Sequence, residues 1–524
     1  MTKKILMGRL LIATFAVAAF LAGCIPEDSL QWSADGSIGI YSKDGALFLV
    51  DGKTGSLTQI APKETTTNWP AISPDGSYFA YGKIVKVADF NEALSCLPPG
   101  QVKVIKAHAE ILKQRILIES IKDNKLQNLS DTISIGLFSF PADAPNKVIR
   151  LDESVSRGLS IIGAKKSFNK QHTGWVNHYL IENIDKQLAE KVDPESIKEV
   201  KGKDLTYFQL VLAPTADPNN KKILATSYQQ IWRIRFSPDA KLIAYVADRI
   251  EGDTFEAGFD LYIASLSENI QAALVEQAVA IGYDFRPDCR AIAYIKPQDE
   301  NFDKDDFELG SLVERTIVDP NGKLLASPVH FDDSTFLATH TCTGPARELA
   351  GVCYYSWMYI SYARDNRIFF TSAKMSLPSS KLDSEKASIF CCDTLTGAVS
   401  EILPKVALDF TEGNCYLFTL SQDSQKILLP GNKNTLGIYA LGGDLDLSKI
   451  LIDKNESFGD DAPPKLVSQW KGRDEISCLI SERSHFLTND PNTPHSRKEI
   501  VTLGADGNLK QILSKNWPDE LLDF

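Results

Sequence analysis

The sequence contains no G-x-S-x-G, no C-x-x-C and no basic run beyond its first ten residues. The first absence excludes the strained strand-to-helix turn that exposes the nucleophile of an α/β-hydrolase, and no βαβ run stands in its place. The second, with no Cys/His spacing to replace it, removes a zinc site of ordinary pattern. The third, with 56 Lys+Arg against 68 Asp+Glu and a net charge of −12, argues against nucleic acid as a partner. The seven histidines (His108, His172, His178, His330, His340, His485 and His495) are scattered, and their pattern specifies surface or loop positions rather than a metal site. The apolar run Leu10–Leu21 is short of the roughly 20 residues that a membrane-spanning helix needs. An acidic balance is the ordinary state of a soluble exported chain.

What is present is a repeat. Arg235–Ala247, RFSPDAKLIAYVA, reads as a strand, a tight turn Ser237-Pro238-Asp239-Ala240 and a second strand from Leu242. Ser suits the first position of a type I turn, Pro brings its φ already set to the second, and a small residue closes it. Beyond the turn Ile243, Tyr245 and Ala247 alternate with Leu242, Ala244 and Val246, so both faces of the strand are apolar, as in a sheet sandwiched between neighbours. The unit recurs as WSADGSIGIYS at Trp32–Ser42 and ISPDGSYFAYG at Ile72–Gly82. Degenerate copies are FRPDCRAIAYI at Phe285–Ile295, YARDNRIFFTS at Tyr362–Ser372, LSQDSQKILLP at Leu420–Pro430 and WKGRDEISCLI at Trp470–Ile480. Repetition of one hairpin unit predicts an all-β chain folded as a single β-propeller.

The wording of these repeats resembles the TolB-like family of propeller repeats, SPDG followed by an apolar strand, over most of the chain after residue 29. The resemblance implies the fold and leaves the ligand unnamed. In the oligogalacturonate-lyase type of this family it implies histidines gathered at the central channel around a metal.

Three units follow along the chain: a signal segment over 1–23, a tether over 24–29 and the propeller over 30–524. In the first, Lys3, Lys4 and Arg9 precede the apolar core, and Leu21-Ala22-Gly23-Cys24 forms the cleavage site. Small residues directly before a Cys resemble the bacterial lipobox, which implies acyl chains on Cys24 and a stable membrane anchor. The alternative is an ordinary secretory signal with an incidental Cys. Ile25, where an Asp would favour the inner membrane, points to the outer membrane of the cell envelope.

Between Ile84 and Ser227 the repeat lapses. Val102–Lys113 reads as a helix, and Arg115–Leu129 as its continuation or as a hairpin. Gly136–Leu151 and Leu205–Thr226 both resemble closing strand pairs, which implies a degenerate blade between Val155 and Thr226 and leaves seven blades or eight open. Helical insertions thus fall in the N-terminal third, and Pro328–Ala350 is a second long connection. The final stretch, Lys515–Phe524, is placed along blade one.

Eight cysteines follow Cys24, an even number that permits disulfides in an oxidising compartment. Cys342 and Cys353, flanking a short loop, are the candidate pair. Cys289 takes the small-residue turn position, while Cys391 and Cys478 read as buried small hydrophobes. Asp299, Asn301, Asp303 and Asp305 match positions 1, 3, 5 and 7 of a calcium loop, but Lys304 replaces the turn Gly and Gly310 the bidentate Glu. A solvated acidic loop is the better reading, so the covalent lipid on Cys24 is the expected modification and no cofactor is expected. Trp32, Trp69, Trp232, Trp357 and Trp470 open five repeats; their periodicity favours packing between blades over a ring of aromatics gripping sugar or peptide.

The functional expectation is a lipid-anchored, exported, non-enzymatic binding or scaffold module for an envelope protein or glycan. The alternative is a polysaccharide-acting enzyme, a lyase or hydrolase, with its site at the central channel. Replacing Cys24 by Ala should move the protein from the membrane to the soluble fraction on cell fractionation. Retention without acylation would overturn the anchor.

Overall fold

The SPDG unit makes its turn by a mechanism that the structure, a computed structural model, shows in full. The residues described are 29–67, 69–122, 169–184, 205–250, 258–266, 272–298, 308–327, 330–331, 338–339, 342–354, 360–373, 387–403, 418–430, 435–441, 448–451, 469–481, 498–505 and 508–522. In four repeats the Ser hydroxyl donates to the Asp two residues on, at 2.7 Å for Ser33–Asp35, 2.6 Å for Ser73–Asp75 and 2.7 Å for both Ser237–Asp239 and Ser421–Asp423. These hydroxyls are the main reason the Asp75 and Asp423 carboxyls stay below the usual range. In two repeats without the Ser an Arg donates to the Asp instead: Arg286 to Asp288 at 2.7 Å and Arg367, just past the turn, to Asp365 at 2.8 Å.

The closing residue of six of these turns has positive φ: Gly36 (70°), Gly76 (71°), Ala240 (54°), Cys289 (62°), Asn366 (65°) and Ser424 (58°). Smallness is therefore a secondary requirement. The position demands a left-handed backbone, which Gly takes freely, Asn tolerates and other residues adopt at a cost.

Each turn joins the first two strands of a four-stranded antiparallel blade, and seven such blades follow one another in chain order. Their strands are Ser29–Trp32, Ile38–Lys43, Ala46–Asp51 and Leu57–Ala61 in blade one, and Ala71–Ile72, Tyr78–Lys86, Thr206–Pro214 and Lys222–Ser227 in blade two. Blade three is Ile231–Phe236, Leu242–Asp248, Phe259–Ser265 and Ala273–Val279; blade four is Tyr283–Phe285, Ala291–Pro297, Glu308–Thr316 and Ala346–Tyr354. Blades five to seven open at Ile360–Tyr362, Thr419–Leu420 and Gln469–Lys471 and end at Val399–Leu403, Ser448–Leu451 and Leu509–Ile512. The fold is an all-β propeller of seven blades. The strand pair ending near Thr226 closes blade two itself, so no eighth blade is needed there; Gly136–Leu151 lies outside the described residues.

The two-faced apolar pattern has the expected result. Leu242, Ala244 and Val246 enter the core shared with Tyr283, Phe285, Ile292 and Tyr294 of blade four. Their neighbours Ile243, Tyr245 and Ala247 enter the core shared with Ala71, Phe208 and Leu210 of blade two. The tryptophans stitch these interfaces. Trp69 lies 5.9 Å from Trp232, Trp470 donates to the Thr419 carbonyl at 3.2 Å, and Trp32 donates to Ser477 at 2.8 Å.

Buried carboxylates add polar ties between blades. Glu276 of blade three accepts from Tyr294 at 2.9 Å and pairs with Lys296 at 3.2 Å and Arg315 at 2.8 Å, all of blade four. Asp284 of blade four pairs with Arg235 of blade three at 3.2 Å and accepts the Tyr362 amide of blade five at 2.8 Å.

The ring closes without a shared strand. Blade seven packs on blade one through Ile500 and Leu513 against Leu30, Tyr41 and Val50. The last residues cover the joint: Trp517 lies 5.1 Å from Tyr41 and donates to the Gly55 carbonyl at 2.6 Å, and Tyr41 donates to the Leu521 carbonyl at 3.0 Å. Gly55 has φ 72°, and a Cβ there would stand 2.2 Å from the Leu513 carbonyl, so only Gly fits.

Cys342 and Cys353 do not pair; both are free thiols. Cys353 lies in the last strand of blade four, opposite Leu309, whereas Cys342 precedes that strand and contacts the Thr316 carbonyl. Between Ala346 and Cys353 the extended chain covers about 23 Å, at about 3.3 Å per residue, against the roughly 4.4–6.8 Å between Cα atoms that a disulfide requires. The long connection into Ala346 thus falls inside blade four, before its outer strand.

The turn geometry gives a paired prediction. Gly76→Ala should destabilise by about 1–2 kcal/mol, the cost of a Cβ in the left-handed region. Ala240→Gly should be neutral or stabilising by up to about 1 kcal/mol, as relief of that strain is offset by the entropy Gly loses. Chemical denaturation of the two variants checks the opposite signs.

Candidate functional site

In every antiparallel blade the first and third turns share one end of the ring, here called lower, and the second turn and the link to the next blade share the upper end. First turns are short throughout, over 33–37, 73–77, 237–241, 286–290, 363–366, 421–425 and 472–474. The chain's largest addition leaves the upper end, between the second and third strands of blade two. Those strands run nine residues each and stay paired to Lys86–Thr206, with Val87 donating to the Leu205 carbonyl at 2.8 Å.

Above this neck sit three helices, α1 (Phe90–Cys96), α2 (Pro99–Lys122) and α3 (Lys170–Tyr179), the last running into a π-turn at Leu180–Ile184. Asp89 starts α1 by accepting the Glu92 amide at 2.9 Å. Pro99 opens α2, where its missing N–H costs nothing. Asn169 starts α3 by accepting the His172 amide at 2.7 Å. The helix read from the sequence at Val102–Lys113 is the middle of α2, which continues to Lys122 and so decides the helix-or-hairpin alternative.

The three helices form a cap with its own small core. Phe90, Ala93, Leu94, Leu97, Ile105 and Trp175 surround Tyr228, which belongs to the link between blades two and three. Phe90 lies 5.3 Å from the Trp175 ring and 5.3 Å from His178. Trp175 donates to the Thr206 carbonyl at 3.0 Å, fixing α3 to the neck.

Through this core runs a polar chain. His108 Nδ1 of α2 lies 2.7 Å from His172 Nε2 of α3, and His172 Nδ1 lies 3.0 Å from the Tyr228 hydroxyl. His172 is wholly buried and His108 nearly so. Burial pushes His108 down to about 4, and burial together with His108 holds His172 well below the usual imidazole range. Burial likewise raises the Tyr228 phenol. Both imidazoles are therefore neutral, with one hydrogen in each link of the chain.

Asn169 ties the same spot to the ring. Its Nδ2 donates to Gln229 Oε1 at 2.6 Å and to the Arg249 carbonyl, and its own amide donates to the Ile250 carbonyl at 3.0 Å. Gln101 of α2 accepts the Tyr228 amide and donates to Ser227, both at 3.2 Å. A wholly buried imidazole cannot meet a substrate from solvent. What this arrangement does is hold a helical surface in fixed register on blades two and three.

At the central channel the seven inner strands carry no histidine; their charged residues include the Arg235–Asp284 pair and Lys471, which lies over the Trp32 ring at 5.4 Å. Among the described residues no three His, Cys, Asp or Glu side chains converge in the manner of a metal site. Cys24, with Leu21, Ala22 and Gly23, lies outside the described residues, as do Asp299, Asn301, Asp303 and Asp305. The His108–His172 pair escaped the sequence reading, which took the histidines as surface residues. Its signal was the stripe Val104, Ile105, His108, Ala109, in which a His occupies the buried side of an amphipathic helix.

Fold and site together define a seven-bladed propeller with a helical cap. No family model and no curated protein matches the chain. Among solved structures it is similar to TolB from Acinetobacter baumannii, at 16% identity over 58% of each chain with a TM-score of 0.33. It is also similar to an oligogalacturonate lyase in complex with manganese, at 10% identity over 77% of this chain and 73% of that one, TM-score 0.38. Kuenenia stuttgartiensis hydrazine synthase gives 10% identity, 79% and 77% coverage and a TM-score of 0.38. The chain thus matches just over half the length of the TolB structure, and likenesses at this level say nothing of activity.

Asn169→Ala removes a helix start worth about 1–2 kcal/mol and leaves Gln229 short of a partner at a further cost of about 1–3 kcal/mol. Hydrogen exchange should show α3 amides losing protection by at least tenfold while the blade strands keep theirs.

Proposed function

We propose that this protein is a non-enzymatic binding module whose recognition surface is the upper, cap-bearing end of the ring. The observation that carries this is the folded insertion between the second and third strands of blade two. The first turns at the lower end are confined to three to five residues, whereas the upper end bears a folded insertion with its own core, locked to two blades. Binding residues concentrate on elaborated connections held by a rigid scaffold. The connection between the third and fourth strands of blade four leaves the lower end, and its short strand His330–Phe331 comes within 8 Å of α2, Cα to Cα. Burial of His172 and the absence of histidine from the inner strands favour binding over catalysis.

The partner class in this reading is an envelope protein or glycan, met by a protein held at the outer membrane through acylated Cys24. An acidic ring with net charge −12 is suited to neither nucleic acid nor an anionic lipid surface.

Because Val87 and Leu205 are hydrogen-bonded neighbours, a short turn can replace residues 88–204 without straining blade two. The capless protein should retain its strand signal by circular dichroism. In-cell crosslinking with mass spectrometry should recover one abundant envelope partner with the full protein and lose it with the capless form. Equal recovery by both forms would overturn the cap as the recognition surface. Cleavage of a polysaccharide by either form would overturn the non-enzymatic reading.

A further inference from the structure

The blades are joined in part by charged ties: Glu276 with Lys296 and Arg315, and Asp284 with Arg235. Between cap and ring the central tie is the neutral chain His108–His172–Tyr228. A separation of 2.7 Å between two ring nitrogens accommodates one hydrogen. Protonating both rings sets two N–H groups head to head in a site sealed by Ile105, Ala109, Trp175 and Val176.

Titratable and charged groups stand on each element packed around the pair. From α2, Lys106 lies over the Tyr179 ring at 5.9 Å, and Glu110 acts on Tyr179. From α3 and the π-turn, His178 is itself held down by burial, with Glu182 as its acidic neighbour. From α1 the core-facing groups are apolar, and Glu92 and Cys96 act on Tyr207. From the ring come Tyr228 and, beyond it, Tyr262 with Arg249 and Asp260, which pair with each other at 3.5 Å. Burial disfavours a charge on His172, and His108 adds to that effect.

We propose that the α1–α2–α3 cap is released from blades two and three by acid, through protonation of His108 and His172, while the seven blades remain closed. Release exposes both imidazoles to water, where each takes up a proton at its ordinary affinity. The closed cap binds fewer protons than the open one, so closure is favoured at neutral pH and is lost as pH falls below about 6.5. Glu276, a carboxylate between blades three and four, responds lower. Burial alone would raise Glu276, but Lys296, Tyr294 and Arg315 outweigh it and hold it below 4.5, so its contribution persists until pH falls through that lowered value. The two windows are separate, and the inference does not depend on what the cap binds.

Hydrogen exchange of the full protein between pH 7 and pH 5, corrected for the intrinsic rate, tests this. From pH 7 to pH 5 each imidazole shifts the opening equilibrium by about 30-fold, so α2 and α3 amides should lose protection by up to about 10³-fold. Inner-strand amides of blades five to seven should change little. In H108Q the loss should shrink to about 30-fold, and in H108Q/H172N it should vanish. Three results would overturn the proposal: cap protection unchanged with pH, blades and cap loosening together, or an undiminished pH response in the double variant. A variant that fails to fold leaves the wild-type profile as the deciding measurement.

Discussion

A sheet with two apolar faces cannot stop growing neighbours until it meets its own beginning. Every blade here is such a sheet, because alternate residues of one strand feed different cores: Ile243 one way, Leu242 the other. Burying one face leaves the other exposed, so no blade is stable alone and no open stack is satisfied at its ends. The ring is the solution, and its weakest joint is where the ends meet. Among the described residues no strand crosses from blade seven to blade one. Closure rests instead on side chains: Tyr41 under Trp517, the Trp517 indole on the Gly55 carbonyl, and Trp32 reaching Ser477. The residues after the last strand are therefore structural, and Trp517 and Leu521 lie along blade one as the sequence reading expects.

The same constraint dictates where the chain can be elaborated. Lower-end first turns are fixed by the Ser–Asp hydrogen bond and a left-handed closing residue, a device that tolerates few insertions. The hairpin turn between second and third strands has no such lock. Blade two uses that freedom, lengthening both strands to nine residues and carrying the cap on the extension. The cap then needs its own core, since the blades' faces are already occupied, and from the ring it borrows Tyr207, Tyr228 and Ile250.

The fold was legible because its determinants are local and repeated. SPDG, an apolar strand and Gly/Asp turns give blade one nearly strand for strand, and Ala387–Asp393 with its partner at Val399 appears where the pattern puts it. The left-handed φ explains why Asn366 serves in a position read as small. Misreadings came from long range. A closing strand pair looks the same whether its opening partner is twenty residues upstream or a hundred and twenty, so the interrupted blade two leaves seven blades or eight open in the sequence. The Cys342–Cys353 pair came from sequence proximity, which an intervening extended strand makes a poor guide to distance. The cap's short helices α1 and α3 are set by Asp89 and Asn169, single polar residues whose role as helix starts shows only once the next turn is known to be helical. The histidine pair lies 64 residues apart, and nothing but folding of the insertion brings it together.

Neutral and charged ties serve different ends in this molecule. Glu276 and Glu314 each bridge blades that are already pressed together by apolar faces, and breaking one partner leaves an uncompensated buried charge, so these ties enforce one register of the ring. The imidazole chain of the cap is a tie of another kind, built from neutral rings. Its integrity depends on both rings staying neutral, which links a small structural unit to proton activity at values where the blades are indifferent. A rigid ring and a separable cap can coexist in one chain because their polar ties were built from groups with different affinities for the proton, and not because one is packed more loosely than the other: Trp175 of the cap is as fully buried as Tyr283 of the blades.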